Sequence, residues 1–163
     1  MTGKLTRLIA GSFVTAAVAA SLNAGVAHAD LLGSLDFGSS ADPVETPFCS
    51  IEYPDPNDFD RYDRSDVTVS SPGAGRVEFT FHTRSGSTAP YTQRASVIWA
   101  NLDSGISGGD TVSARVEPGE TTIVIPVQDT GPGRITAVTG VSNIADNGND
   151  VTTLDCSSEY TVP

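Results

Sequence analysis

The stretch Arg76-Val77-Glu78-Phe79-Thr80-Phe81-His82-Thr83 decides the fold class. Val77, Phe79 and Phe81 fall on one side of a two-residue period, with Arg76, Glu78, Thr80 and His82 on the other. A helix turns about 100° per residue and would scatter those apolar side chains around its axis, whereas a strand points successive side chains to opposite faces. The stretch therefore predicts a half-buried β-strand whose apolar face meets a core.

The same period recurs on both sides of it. Val112, Ala114 and Val116 alternate with Thr111, Ser113, Arg115 and Glu117, and Ile123, Ile125 and Val127 form another run beyond Pro118-Gly119-Glu120. These two runs predict a hairpin. Further strands are expected over 49–53, 66–70, 94–102, 133–144 and 151–162, separated by the turn signals Pro72-Gly73-Ala74-Gly75, Ser107-Gly108-Gly109, Gly131-Pro132-Gly133 and Asn147-Gly148. The one helical candidate is a turn over 57–64, with Pro56 ahead of Asn57 as its cap. Seven or eight short strands and one tryptophan in a segment of this length predict an all-β, antiparallel, immunoglobulin-like sandwich over residues 48–163.

The 163 residues carry two cysteines, Cys49 and Cys156. They are expected to form a disulfide joining the first and last strands, whereas an antibody-type bridge crosses the middle of the core. The N-terminus reads as an export signal: Lys4 and Arg7 precede an apolar run, and Ala27-His28-Ala29 offers the small residues accepted before cleavage. Residues 1–29 are thus the expected signal peptide. Residues 30–47, with Leu31, Leu32, Leu35, Phe37, several Gly and Ser, Pro43 and Pro47, form the expected flexible leader. No second apolar span and no sorting signal follows, so no membrane span is expected after cleavage.

All 20 acidic residues and seven of the nine basic ones lie beyond Ala29, which gives the mature chain a net charge of −13 with His neutral. That balance repels phosphate backbones and argues against nucleic-acid partners. The expected location is extracellular or at the cell envelope.

The export signal, Trp99-Ala100-Asn101, Ser104-Gly105, Gly131-Pro132-Gly133 and the terminal 156–162 strand resemble the small secreted β-sandwich proteins of mycolic-acid-bearing bacteria. The likeness spans residues 49–163 and consists of turn and strand elements. It implies a sandwich fold and an exported location, and it assigns no functional residue.

Candidate chemistry is sparse. Gly105-Ile106-Ser107-Gly108-Gly109 matches the spacing of a nucleophile elbow, but that motif needs a helix after the serine and a strand pattern follows here. His82 is the single histidine beyond Ala29, and alternation turns it away from the core. One histidine and a paired cysteine couple fall short of a zinc site. The densest feature is the acidic stretch 52–66, in which Asp55, Asp58, Asp60 and Asp63 are the candidate ligands for calcium. The EF-hand register is absent, and Arg61 and Arg64 offer the same carboxylates local ion pairs. A second acidic loop, Asp146-Asn147-Gly148-Asn149-Asp150, is a turn between the last strands. Tyr53, Phe59, Tyr62 and Tyr91 are the candidate contact surface, because aromatic side chains on loops suit partner binding.

The expectation is a secreted, noncatalytic binding or structural module acting on an extracellular or envelope protein or glycan. The alternatives are a calcium-stabilised or inhibitor-type module and a small secreted hydrolase. No cofactor other than calcium is expected.

Overall fold

The computed structural model describes residues 43–163; the expected signal peptide and the leader up to residue 42 lie outside them. The described residues form eight strands and no helix: β1 (Thr46–Asp55), β2 (Asp58–Gly73), β3 (Arg76–Ser85), β4 (Tyr91–Asn101), β5 (Ser107–Val116), β6 (Gly119–Asp129), β7 (Gly133–Ala145) and β8 (Asp150–Val162). All pairings are antiparallel. One sheet has the order β1-β2-β3-β6 and the other β5-β4-β7-β8. With β1 set aside, β2-β3-β6 against β8-β7-β4 matches strands A, B, E and G, F, C of an immunoglobulin domain, with β5 added beside β4. Trp99 then sits on the strand equivalent to C, where such domains carry their buried tryptophan.

Alternation places the core as the sequence predicts. Val77, Phe79 and Phe81 are fully buried between the sheets, with Val67 and Val69 from β2, Val97 and Trp99 from β4, and Ile123 and Ile125 from β6. Phe48 meets Phe79 edge to face, with ring centroids 5.4 Å apart. Each such side chain contributes about 1.5–3 kcal/mol by leaving water. The cores of the two sheets are closed at the β1/β8 edge by the Cys49–Cys156 disulfide, whose Cα atoms stand 5.9 Å apart across 107 residues of sequence.

Three expectations change. Residues 57–64 are not a helical turn, because β1 and β2 form a hairpin through Pro56 and Asn57 and residues 58–64 belong to β2. The runs at 112–116 and 123–127 are strands but not a hairpin: β5 and β6 lie in different sheets, and Glu117-Pro118 carries the chain across the sandwich edge. Pro118 removes a ladder donor where pairing would have to begin, which favours the crossing. Thr46 and Pro47, placed by the sequence in the expected leader, belong to β1, where pairing begins with Thr46 against Val69.

Candidate functional site

The inner faces change character along the strand axis. Continuing each buried row toward the β1–β2 turn, Val69 and Val67 of β2 give way to Ser65 and Asp63, Phe81 of β3 to Thr83 and Ser85, and Val97 and Ala95 of β4 to Gln93 and Tyr91. Ile51 of β1 likewise leads to Tyr53 and Asp55, and Val141 of β7 to Asn143. The strand period is unchanged, so the polar residues occupy core positions. Burying them is costly unless they pair with one another.

They do pair, and the links join the sheets. Asp63 Oδ2 accepts from Ser85 Oγ at 2.7 Å and from the Tyr91 hydroxyl at 2.9 Å, while its Oδ1 accepts from the Gly86 N–H at 2.8 Å. Gln93 Nε2 donates to the Tyr53 oxygen at 2.8 Å and to Asn143 Oδ1 at 2.9 Å, and Gln93 Oε1 accepts from Thr83 Oγ1 at 2.7 Å. That spends the Thr83 proton, so the 2.8 Å contact between Ser65 and Thr83 is a donation by Ser65. Burial is the main force raising both tyrosine pKa values. Neighbouring Asp63 pushes each in the same direction, and for Tyr91 so does Tyr53. Asp55 Oδ2 and Asn143 Nδ2 are the buried polar atoms with no partner among the described residues.

This polar layer supports three connections. Asp55 Oδ1 accepts from the Asn57 N–H at 2.8 Å and sets the β1–β2 turn. Asn57 Nδ2 in turn donates to Ser87 Oγ and to the Ala89 carbonyl, and Asn149 Nδ2 from the β7–β8 turn donates to the Pro56 carbonyl at 3.1 Å. The two acidic turns thus meet through an amide and a backbone carbonyl.

Above this base the hairpin register jumps. Asp55 pairs with Asp58 and Pro54 with Tyr62, so Phe59, Asp60 and Arg61 bulge outward with no partner across the hairpin. Phe59 is 53% exposed and Tyr62 69% exposed. Both side chains leave apolar ring surface in water beside the turn.

The sequence candidates therefore divide. Phe59 and Tyr62 are surface aromatics, whereas Tyr53 and Tyr91 are fully buried and belong to the polar layer, not to a contact surface. Alternation takes Tyr53 inward with Ile51, and Tyr91 inward with Gln93. The four calcium candidates are not brought together. Asp55 and Asp63 point into the sandwich, Asp58 and Asp60 lie outside it, and no cluster of three or more metal-ligating side chains occurs among the described residues. The sequence reading missed Ser65, Thr83, Ser85, Gln93 and Asn143. Their parity within the strands was the available signal.

His82 lies on the outer face of β3, where its Nε2 is 3.1 Å from Glu45 Oε2. Hydrogen bonds from Thr68 and then His82 hold the Glu45 carboxyl below its usual range. Ser107 opens β5, in the opposite sheet, and a strand follows it in place of the helix of a nucleophile elbow.

At the far end of the sandwich Asn101 ties two loops. Its Nδ2 donates to the carbonyls of Thr130 and Pro132, and its Oδ1 accepts from the N–H groups of Asp103 and Ser104. Trp99 Nε1 donates to Gln128 Oε1 at 3.2 Å. The motifs Trp99-Ala100-Asn101, Ser104-Gly105 and Gly131-Pro132-Gly133 are thus one loop-locking arrangement. Comparison with protein-family models and with curated proteins gave no match to the chain.

Proposed function

We propose that the protein is an exported, noncatalytic binding module that holds a cationic segment of a partner protein on Phe59 and Tyr62. The observation carrying this reading is the pair of exposed aromatic side chains above a hydrogen-bonded base, Phe59 in the three-residue bulge and Tyr62 where pairing resumes. Preorganised backbone lowers the entropy lost on binding. Asp58 and Asp60 flank Phe59 and make no ion pair among the described residues. Carboxylates beside aromatic faces attract Lys and Arg side chains by charge and by cation–π contact. The net charge of −13 beyond Ala29 steers the same partners toward the protein. The disulfide accords with an oxidising compartment, and no helix among the described residues is long and apolar enough to cross a membrane.

The test is calorimetric titration with a Lys/Arg-containing peptide and with its Glu-substituted counterpart. The Phe59→Ala, Tyr62→Ala double variant retains every charge and should lose the cationic peptide. Glu159→Gln, on the opposite sheet, should leave binding unchanged. Equal loss in both variants would reduce the interaction to bulk charge and remove the proposal.

A further inference from the structure

Five of the seven arginines beyond Ala29 form ion pairs: Arg64, Arg76, Arg84, Arg115 and Arg134. Arg61 and Arg94 pair with no carboxylate among the described residues, in a chain where acids outnumber bases more than twofold. Arg61 sits on the aromatic bulge. Arg94 lies in the middle of the outer face of the other sheet, in a groove of about 410 Å³.

The backbone builds that groove. Opposite Gly140 the register shifts, since Thr139 pairs with Cys156 but Val141 with Thr153, which leaves β8 one residue longer. Leu154 folds over the bare Gly140 backbone, where a Cβ would collide with its Cδ2, and still remains 64% exposed. The bare Gly140 backbone thus lets Leu154 settle as one wall of the groove, and Arg94 and Thr111 line it from β4 and β5.

The groove is also bipolar. Asp150 lines it together with Arg94, yet the two do not pair. Ser142 and Thr152 donate their hydroxyl protons to Asp150 Oδ1, at 3.2 and 3.4 Å, and Asp150 Oδ2 has no partner among the described residues. Ser96 donates to the Gly140 carbonyl, whereas the Thr111 hydroxyl makes no side-chain hydrogen bond among the described residues. A ligand for this surface needs one carboxylate for the Arg94 fork, hydroxyl donors for Asp150, an acceptor for Thr111 and a small C–H face for Leu154.

We infer that the groove around Arg94 binds a sugar acid, a saccharide unit carrying one carboxylate. The site is on the opposite sheet from the aromatic bulge and does not depend on the reading given to that bulge. Beyond a Debye length of about 8 Å other charges are largely screened at physiological salt, so Arg94 and Asp150, the two charged residues lining the groove, set the local field.

Amide chemical-shift titration of the isotope-labelled, exported chain tests this with glucuronate, methyl glucoside, acetate and glycine as probes. Glucuronate is expected to perturb residues of β4, β7 and β8 around Arg94 and to bind at least about tenfold more tightly than the other three. Arg94→Gln should abolish that binding. Thr111→Val, which removes only a hydroxyl, should weaken it severalfold. Acetate binding as well as glucuronate would eliminate the saccharide from the proposal. Preference for glycine would assign Asp150 to an amine, and absence of glucuronate binding at Arg94 would overturn the site itself.

Discussion

The Tyr91 hydroxyl of one sheet donates to Asp63 Oδ2 of the other at 2.9 Å, inside the sandwich and out of reach of solvent. Apolar contacts hold the sheets together at one end, and directed polar contacts hold them at the other. A carboxylate there is tolerable because Ser85, Gly86 and Tyr91 together supply three donors. Tyr91→Phe should therefore destabilise the fold by about 1–3 kcal/mol, the cost of leaving a buried acceptor short of a donor. Asp63→Ala should cost more, because it strands all three donors. In urea denaturation the double variant should fall short of the sum of the single effects, since both substitutions break one bond.

The same layer sets an alkaline limit. Burial raises the pKa of Tyr53 and of Tyr91 above the ordinary value near 10. Above that pH the unfolded chain releases these protons while the folded chain keeps them, so the unfolded state binds fewer protons and stability falls as pH rises. Each retained proton steepens the loss by about 1.4 kcal/mol per pH unit. Urea midpoints measured from pH 9 to 11.5 should fall with pH, and Tyr91→Phe should flatten the decline. A constant midpoint over that range would show that neither tyrosine is held protonated.

Strand positions were legible from residues 76–83 and their neighbours because a period of two survives any tertiary context that buries one face. What the alternation could not reveal was partner choice. Val116 and Ile123 have the pattern of a hairpin, and it is the sheet to which each run belongs that separates them. The polar layer was hidden for a different reason: Thr83 and Gln93 share the parity of Phe81 and Val97, but hydrophobicity marks only the apolar part of an inward row. Asp55 and Asp63 read in the sequence as calcium ligands or as partners of Arg61 and Arg64, because carboxylates are seldom buried without partners. The partners of Asp63 come from β3, β4 and the loop between them, at separations of 22, 23 and 28 residues that no local pattern encodes, whereas Asp55 accepts from Asn57 two residues on.

Gly108 tests the loop-locked end. A Cβ at this position would stand 2.7 Å from Trp99 Cζ2, so Gly108→Ala forces the indole to move. Trp99 is the sole tryptophan and is 6% exposed, which makes its fluorescence a direct reporter. The substitution should red-shift the emission and cost about 1–3 kcal/mol, as overpacking does. Gly105→Ala meets no neighbour and should leave the emission in place, although its positive φ carries a backbone penalty of its own.

The disulfide closes a loop of 107 residues, nearly the whole described domain. Imposing that constraint on the unfolded chain is worth about 4–5 kcal/mol in lost chain entropy. Exported protein should show no free thiol by mass spectrometry and one linked peptide containing Cys49 and Cys156. The paired substitution Cys49→Ser, Cys156→Ser should lower stability by that amount while far-ultraviolet circular dichroism stays that of a β protein. Two free thiols in correctly exported material would contradict the linkage.

Calcium separates a metal-dependent acidic turn from a hydrogen-bonded one. Both Asp63 oxygens accept protein hydrogens, and Asp55 Oδ1 accepts the Asn57 N–H, so two of the four candidate ligands are oriented inward. Asp58 and Asp60 are exposed, and Asp58 Oδ1 accepts from the Asp60 N–H at 3.3 Å. A calcium ion needs six to eight oxygens at about 2.3–2.6 Å, which this hairpin would supply only after its buried bonds were broken. Millimolar calcium and magnesium should therefore raise the melting temperature equally, through screening of the negative charge. A calcium-specific rise, lost on Asp58→Asn with Asp60→Asn, would show that the ion captures the folded state through these carboxylates. It would also require the Asp63 hydrogen bonds to rearrange, which the amide shift of Gly86 would report.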